Sequence, residues 1–159
     1  HMTGNYLTLL EESLRKKLQV MAEIQRYNAR QEEIFQAGHA DIDKFDEYVE
    51  EKGLLIDRLN ALDSGFEKLY ANVAEELKGN REQYAEQIRT LQGLVAEVTD
   101  TSVAIQAQEA RNKKLIEEFF RKGREGIRMN RKTSKAAIDY YKNMNKSSVV
   151  MPVFMDDKK

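Results

Sequence analysis

Hydrophobic residues recur every three or four positions along most of this chain, a spacing that is typical of packed α-helices. The pattern predicts a first helix over residues 5–36, whose apolar face is formed by Leu7, Leu10, Leu14, Leu18, Met21, Ile24 and Phe35. Asn28 and Gln31 interrupt that face. Polar residues at such seam positions usually fix the register of packed helices at some cost in stability.

The first helix ends at the segment Ala37-Gly38-His39-Ala40, because Gly38 suits the left-handed position after a helix C-terminus. Asp41 suits the N-cap of a second helix, where its carboxylate can accept hydrogen bonds from free amide groups. The apolar face of this second helix comprises Ile42, Phe45, Val49, Leu55, Ile56, Leu59, Leu62, Phe66, Leu69, Val73 and Leu77. Ser64-Gly65 either kinks this helix or splits it.

Lys78-Gly79-Asn80 forms the break before a third helix, and Asn80 is predicted to be a capping residue there. Alternating steps of four and three residues then continue without a slip from Tyr84 to Met144, which indicates one long heptad-type helix. The seam positions are Tyr84, Ile88, Leu91, Val95, Val98, Ser102, Ile105, Glu109, Asn112, Ile116, Phe119, Gly123, Gly126, Asn130, Thr133, Ala137, Tyr140 and Met144. They are mostly apolar up to Ile105 and mostly small or polar after it.

The predicted helix lengths do not match. At 1.5 Å per residue the first two helices span about 48 and 55 Å, whereas an unbroken helix over 81–145 spans about 97 Å. About 30 residues at its end should therefore overhang an antiparallel hairpin or fold back. Alone this overhang is expected to be mobile, and a partner is expected to order it. The fold class predicted is an all-α, elongated antiparallel bundle of three or four helices with a long C-terminal helix, over residues 1–146, followed by a tail over 147–159.

Charge divides the chain into an acidic and a basic part. Residues 1–100 carry 12 basic and 20 acidic side chains, and residues 101–159 carry 14 basic and 7 acidic ones. Complementary helix faces would explain this, and so would an acidic partner or a nucleic acid that binds the basic stretch 111–146. A duplex would be repelled by the acidic part, and no nucleic-acid-binding motif is present. No apolar run reaches the roughly 18 residues of a membrane span.

Enzyme chemistry is hard to build from these residues. There is no Cys, and apart from His1 the sole His is His39, in a predicted turn, so a nucleophile paired with a His base is not indicated. The acids near His39 lack the spacing of a calcium-binding loop. On a helix, Asp41 and Asp43 would point about 200° apart. We therefore predict no catalytic residues, no metal site and no cofactor.

Recognition of a partner helix remains the function class that the pattern favours. The seam of the long helix offers Ile105, Ile116, Phe119 and Ile127 as apolar anchors for an amphipathic helix. The alternative is that the same residues fill an intramolecular core or the seam of a homodimer. A purely structural coiled-coil protein is therefore the main rival.

Two segments carry a resemblance to a known family. One is the Gly38 turn and its Asp-capped helix with Glu51-Lys52-Gly53-Leu54-Leu55-Ile56-Asp57-Arg58-Leu59. The other is Gln108-Glu109-Ala110-Arg111-Asn112-Lys113-Lys114-Leu115-Ile116, late in a long helix, followed by a run that ends in Tyr140-Tyr141. With the three-helix layout, residues 5–145 resemble the FlgN-type flagellar export chaperones.

The resemblance implies a cytoplasmic, non-enzymatic chaperone of flagellar type III secretion. It would hold hook–filament junction proteins unassembled and deliver them to the export gate. Client binding by the C-terminal part of the long helix implies Ile105, Asn112, Ile116, Phe119 and Ile127 as contact residues. Family members present a Tyr of the C-terminal helix to the export gate, and the resemblance implies Tyr140 or Tyr141 for this contact. The sister FliT-type chaperones of the filament-cap protein share much of the pattern. The apolar tail after Lys146 and the acidic turn around His39 depart from the family.

Overall fold

The computed structural model describes residues 2–36 and 39–123, and these form three long helices: α1 (Met2–Gln36), α2 (Ile42–Gly79) and α3 (Ala85–Gly123). No strand occurs within these described ranges. The all-α prediction is confirmed. At 1.5 Å per residue the helices are each about 52 to 58 Å long. Helix α1 begins at Met2, three residues before the predicted start, and α2 runs through Ser64-Gly65 without a break.

The start of α2 is capped as predicted. Asp41 has an extended backbone with φ −90° and ψ 93°, and its carboxylate accepts a hydrogen bond of 3.0 Å from the Lys44 amide. The carbonyl of Asp41 also accepts from the Phe45 amide at 3.1 Å. The cap fixes the direction in which α2 leaves the corner, and Phe45 enters the core one turn later.

The break between α2 and α3 is capped by Asn80, and the structure shows which helix this residue serves. Asn80 is the C-cap of α2: its amide donates to the Leu77 carbonyl and its side chain to the Glu76 carbonyl, at 3.2 and 2.9 Å. A turn over residues 81–84 follows, so α3 begins at Ala85 instead of residue 81. Asn serves either end of a helix because its short polar side chain can bond nearby backbone.

Helix α1 lies between the other two and packs along both of them. It is antiparallel to α2, since Thr3 bonds Glu76 near one end of the pair and Phe35 contacts Phe45 near the other. Helix α3 is parallel to α1, because Phe119 lies against Phe35 late in both helices.

The core is one continuous seam of side chains along the bundle axis. Its fully buried hydrophobic members are Leu7, Leu10, Leu14, Val20, Met21, Ile24, Phe45, Val49, Leu55, Ile56, Leu59, Phe66, Val73, Leu77, Tyr84, Ile88, Leu91, Leu94, Val95, Val98, Ile105 and Ile116. Beyond Ile24 of α1 and Ile105 of α3 the fully buried seam becomes largely polar. That polar end lies next to the α1–α2 corner.

The overhang predicted for the end of the third helix falls largely outside the described residues, as does the 147–159 tail. The described part of α3 ends at Gly123, one turn past the contact between Phe119 and Phe35. Gly38 and the apolar residues of the tail are also outside the described ranges. Among the described helices, none is apolar enough over a sufficient length to cross a bilayer.

Candidate functional site

Most of the described residues of α3 that were predicted to contact a client are buried inside the bundle. Ile105, Asn112 and Ile116 are 1 to 3% exposed. Phe119 is half-buried, with its ring edge-to-face against Phe35 at 6.2 Å. Ile127 lies outside the described residues, as do Tyr140 and Tyr141. The structure thus brings four of the predicted residues onto one seam of α3, and that seam faces α1.

The rim of this seam carries an open groove of about 280 Å³. Its apolar lining comes from Phe35 on α1 and from Leu115 and Phe119 on α3, all half-buried. Glu118 and Lys122 add charged groups at its edge, and Ala40 closes it at the α1–α2 corner. The groove is an exposed apolar surface at the end of the region that was predicted to bind a partner.

Lys52 is the centre of a buried polar network that joins all three helices. Its side chain is fully buried in α2, and its ammonium donates to Asn28 Oδ1 of α1 at 2.6 Å. The same ammonium donates to Glu109 Oε1 and Oε2 of α3 at 3.0 and 3.1 Å. The carboxylate of Glu109 is itself only 6% exposed. A buried charge is tolerated only when it is paired and hydrogen-bonded, and this geometry meets that condition.

Amide side chains extend the network to either side of Lys52. Asn112 Nδ2 donates to the Asn28 carbonyl at 3.1 Å and lies 3.5 Å from Gln31 Oε1, while Gln31 Nε2 donates to the Phe45 carbonyl at 3.2 Å. Asn28 Nδ2 donates to Gln108 Oε1 at 3.2 Å. We call these six residues, Asn28, Gln31, Lys52, Gln108, Glu109 and Asn112, the polar network.

The network is not completely satisfied. Asn112 Oδ1 is buried and accepts no hydrogen bond from the described part of the chain. Burial also lowers the pKa of Lys52 to about 8, although the charge of Glu109 and its hydrogen bond act in the opposite direction. Desolvation of the ammonium therefore outweighs its attraction to Glu109, which marks the network as a costly element of the core.

A second charged pair lies in the other half of the bundle and joins only α1 to α2. The ammonium of Lys17 lies 2.5 Å from Asp63 Oδ1; the Lys17 side chain is 3% exposed and that of Asp63 is 27% exposed. Desolvation lowers the pKa of Lys17, against the raising effect of Asp63. Because Asp63 retains contact with solvent, this pair is less sequestered than the one between Lys52 and Glu109.

The corner around His39 is a helix-to-helix connection. His39 is exposed, and Asp41 serves as the N-cap described above. Glu47 lies 3.7 Å from Lys44 in an exposed pair on α2. Within the described ranges, no group of three or more His, Asp or Glu side chains is arranged to hold a metal ion. The predicted approach of the basic overhang to these acids concerns residues outside the described part of the chain.

An ion pair on the surface joins the acidic and the basic part of the chain at the start of the basic stretch. Arg111 of α3 lies 4.0 Å from Glu32 of α1, and the two side chains are 55% and 36% exposed. Exposed pairs of this kind contribute at most about 1 kcal/mol. This contact therefore adds little to the packing of α3, and a role of the basic stretch in partner binding stays a prediction.

Sequence analysis missed Lys52 and Lys17, although a signal for both was present. Strict steps of three and four residues from Leu14 lead to Lys17, and the same steps from Val49 lead to Lys52. Leu18 was predicted on the seam because it is apolar, yet Leu18 is half-buried and Lys17 is buried. Holding to the heptad step irrespective of residue type would have placed both lysines in the core.

Comparison with known proteins gives one match and two negative results. The model of the family described as FlgN protein matches residues 2–146, which is nearly the whole chain. A search of the curated proteins and a search of the solved structures each found no match. The matched range includes all three described helices and the polar network.

Proposed function

Because this chain belongs to the FlgN family of flagellar export chaperones, we propose that it binds hook–filament junction proteins in the cytoplasm. In that role it prevents their premature assembly and delivers them to the flagellar export gate. The observation that carries the proposal is the family match over residues 2–146. The chaperone acts without catalysis, by covering a surface of its client.

The proposed client-binding surface is the C-terminal part of the long helix, with Ile105, Asn112, Ile116, Phe119 and Ile127 as its contact residues. Support comes from the heptad register, which continues without a slip along these seam positions up to Phe119. The groove beside Phe119 gives this surface an exposed apolar starting point. A client helix that lays its apolar stripe along the seam would bury surface on both partners.

A seam of moderate strength fits this task. The terminal coiled-coil segment of a junction protein would self-associate if its apolar stripe stayed in water, and pairing with the chaperone hides that stripe. The client must also leave at the export gate. A seam that alternates apolar anchors with Asn112 and small residues binds less tightly than an uninterrupted Leu seam.

Contact with the export gate is proposed for Tyr140 or Tyr141. The two are adjacent in the sequence, so on a helix they would face directions about 100° apart and only one could meet a given partner surface. Tyr140→Ala and Tyr141→Ala separate them: the variant that binds client normally and no longer supports secretion identifies the contact. Loss of client binding in both variants would contradict a role at the gate.

Co-purification from the source organism tests the main proposal. Tagged wild-type protein is expected to recover a flagellar junction protein. The double variant Phe119→Ser/Ile127→Ser is expected to recover at least about ten-fold less, as is usual when apolar anchors of an interface are removed. Leu54→Ser is the matched control, because Leu54 is 61% exposed on α2 and lies away from the proposed surface. Circular dichroism checks that helix content is equal in all variants.

Other outcomes favour other functions. Recovery of the filament-cap protein would assign the chain to the sister class of chaperone. Recovery of no flagellar protein would favour a structural coiled coil. Binding to DNA that is strong and salt-sensitive would contradict the chaperone role.

A further inference from the structure

Three of the proposed contact residues, Ile105, Asn112 and Ile116, are inaccessible in the closed bundle, and the last two lie where α3 has few apolar contacts. Asn112 and Ile116 are 1 and 3% exposed, and both face α1. A client helix can reach them only if this part of α3 moves away from α1 and α2. If the proposed function holds, the structure must therefore contain a place where α3 separates at low cost.

The apolar contacts of α3 are distributed unevenly along its length. The stretch from Tyr84 to Ile105 buries seven hydrophobic residues: Tyr84, Ile88, Leu91, Leu94, Val95, Val98 and Ile105. From Glu109 to Gly123, which we call the distal segment of α3, Ile116 is fully buried, while Leu115, Phe119 and Phe120 are half-buried. Because burial of apolar surface is the main force that holds helices together, the distal segment is held less firmly.

The polar network takes the place of apolar contacts where the distal segment begins. Separation would expose the ammonium of Lys52 and the carboxylate of Glu109 to water, which solvates both far better than the core does. Asn112 Oδ1, which accepts no hydrogen bond from the described residues, would also become accessible to water. Exposure of the apolar side chains of Leu91 or Val98 is not offset by the solvation of any charged or polar group. The same displacement therefore costs less at the network than in the apolar part of the seam.

We infer that the polar network is a built-in point of separation, at which the distal segment of α3 leaves α1 and α2 while the stretch from Tyr84 to Ile105 stays packed. This inference rests on the proposed function for the role of the separated state, which presents Asn112 and Ile116 to a client helix. A client then reaches the part of the proposed surface that lies beyond Ile105, while Ile105 itself stays in the core. The α1–α2 pair stays closed, since Phe35–Phe45 and Tyr27–Tyr48 ring contacts and the bond from Lys52 to Asn28 hold it independently of α3.

Thiol labelling measures the separation in the protein alone. The chain contains no Cys, so a single introduced thiol gives an unambiguous signal. Ile116→Cys reports on the distal segment, and Ile88→Cys is its match, with the same replacement at a seam position that is 6% exposed, against 3% for Ile116. Under native conditions the Ile116→Cys thiol is expected to react at least about ten-fold faster. Equal rates, or faster reaction at Ile88→Cys, would overturn the inference.

A second pair of variants tests whether the polar network causes the faster labelling at Ile116→Cys. Asn28→Leu, Lys52→Met and Glu109→Leu together replace its centre with apolar groups of similar size, and they are expected to slow labelling at Ile116→Cys at least about ten-fold. Lys17→Met with Asp63→Leu is the matched control, because it removes a charged pair that joins only α1 to α2. This control is expected to leave the ratio of the two labelling rates unchanged. If the triple replacement leaves that ratio unchanged too, the network is not the point of separation.

The role of separation in client binding has its own readout. The triple replacement is expected to recover at least about ten-fold less junction protein than wild type in the co-purification described above. Slowed labelling with undiminished recovery would overturn the assigned role. Recovery of no flagellar protein by wild type would remove the proposed function, whereas the labelling result would still decide whether the distal segment separates.

Discussion

At the residue scale, the pairing of Lys52 with Glu109 is the most consequential contact in the bundle. It places two charges in the core of a protein whose other seam positions are largely apolar. A buried pair of this kind rarely adds net stability, since desolvation of each ion costs several kcal/mol, about what the attraction returns. Its clearest effect is on register, because Lys52, Asn28 and Glu109 meet at only one alignment of the three helices.

Removing one partner should therefore be far worse than removing both. Lys52→Met leaves the Glu109 carboxylate buried without its cation, and we expect the free energy of unfolding to fall by about 3 to 5 kcal/mol. Lys52→Met/Glu109→Leu should recover most of that loss, since no uncompensated charge remains. Chemical denaturation of both variants gives the comparison. An equal loss in the single and the double variant would show that the pair itself, and not the uncompensated charge, determines stability.

The lowered pKa of Lys52 predicts a pH dependence with a definite sign. Its pKa is about 8 in the folded protein, against 10.5 for an ordinary Lys. Between these values the unfolded chain binds the proton and the folded protein does not, so folding becomes more favourable as pH rises.

We expect the wild-type free energy of unfolding to increase relative to that of Lys52→Met/Glu109→Leu from about pH 8 to about pH 10.5. Denaturant titrations at several pH values measure this difference, in which contributions of distant groups cancel. A wild-type advantage that shrinks over the same range would contradict the predicted direction.

Individual residues show how much of the site could be predicted from the sequence. The seam positions of Ile105, Ile116 and Phe119 could be predicted because their spacing and their apolar character agree, whereas their contact with a client stays a prediction. Lys52 was missed because spacing and character conflict at its position: the heptad step places it in the core, whereas its charge suggests the surface. Only the three-dimensional arrangement shows that Glu109 and Asn28 lie within hydrogen-bonding distance, since the three residues come from three different helices.

At the scale of the element, the helices follow from periodicity and their ends from local chemistry. Asp41 was predicted as an N-cap because the carboxylate of an aspartate at a helix start accepts hydrogen bonds from the free amide groups of the first turn. Asn80 was predicted as a cap without its helix being specified because Asn suits both ends, and the structure shows that it serves the C-terminus of α2. The sequence did not decide whether Ser64-Gly65 kinks or splits the second helix. Packing on both sides of it keeps α2 continuous, since Leu59 and Phe66 are both buried.

The cap of α2 is testable by a matched pair of replacements. Asp41→Ala removes the acceptor of the Lys44 amide and should lower the free energy of unfolding by about 0.5 to 2 kcal/mol. Asp41→Asn keeps a side-chain oxygen at the same place and should cost much less. Thermal or denaturant unfolding of the two variants provides the measurement. Equal losses for Ala and Asn would mean that the charge near the helix end matters more than the hydrogen bond.

At the scale of the whole molecule, the arrangement of the three helices was only partly accessible from the sequence. Short connections predicted antiparallel neighbours, and α1 and α2 are indeed antiparallel. The central position of α1 was not predicted, because each helix carries a similar apolar face and periodicity does not say which helix has two neighbours. The structure resolves this through contacts such as Thr3 with Glu76 on one side and Asn28 with Asn112 on the other.

The central position of α1 also determines the order in which the bundle can assemble. Its partner α2 follows after a short turn, whereas its contacts with α3 join residues about 80 positions apart, such as Asn28 and Asn112. Local pairings form before distant ones, since closing a long loop costs more chain entropy. During synthesis at about 5 to 20 residues per second, the 44 residues between the ends of α2 and α3 take roughly 2 to 9 s. For that time every new chain exposes on α1 the surface that α3 later covers, and the last of the three described helices closes the bundle.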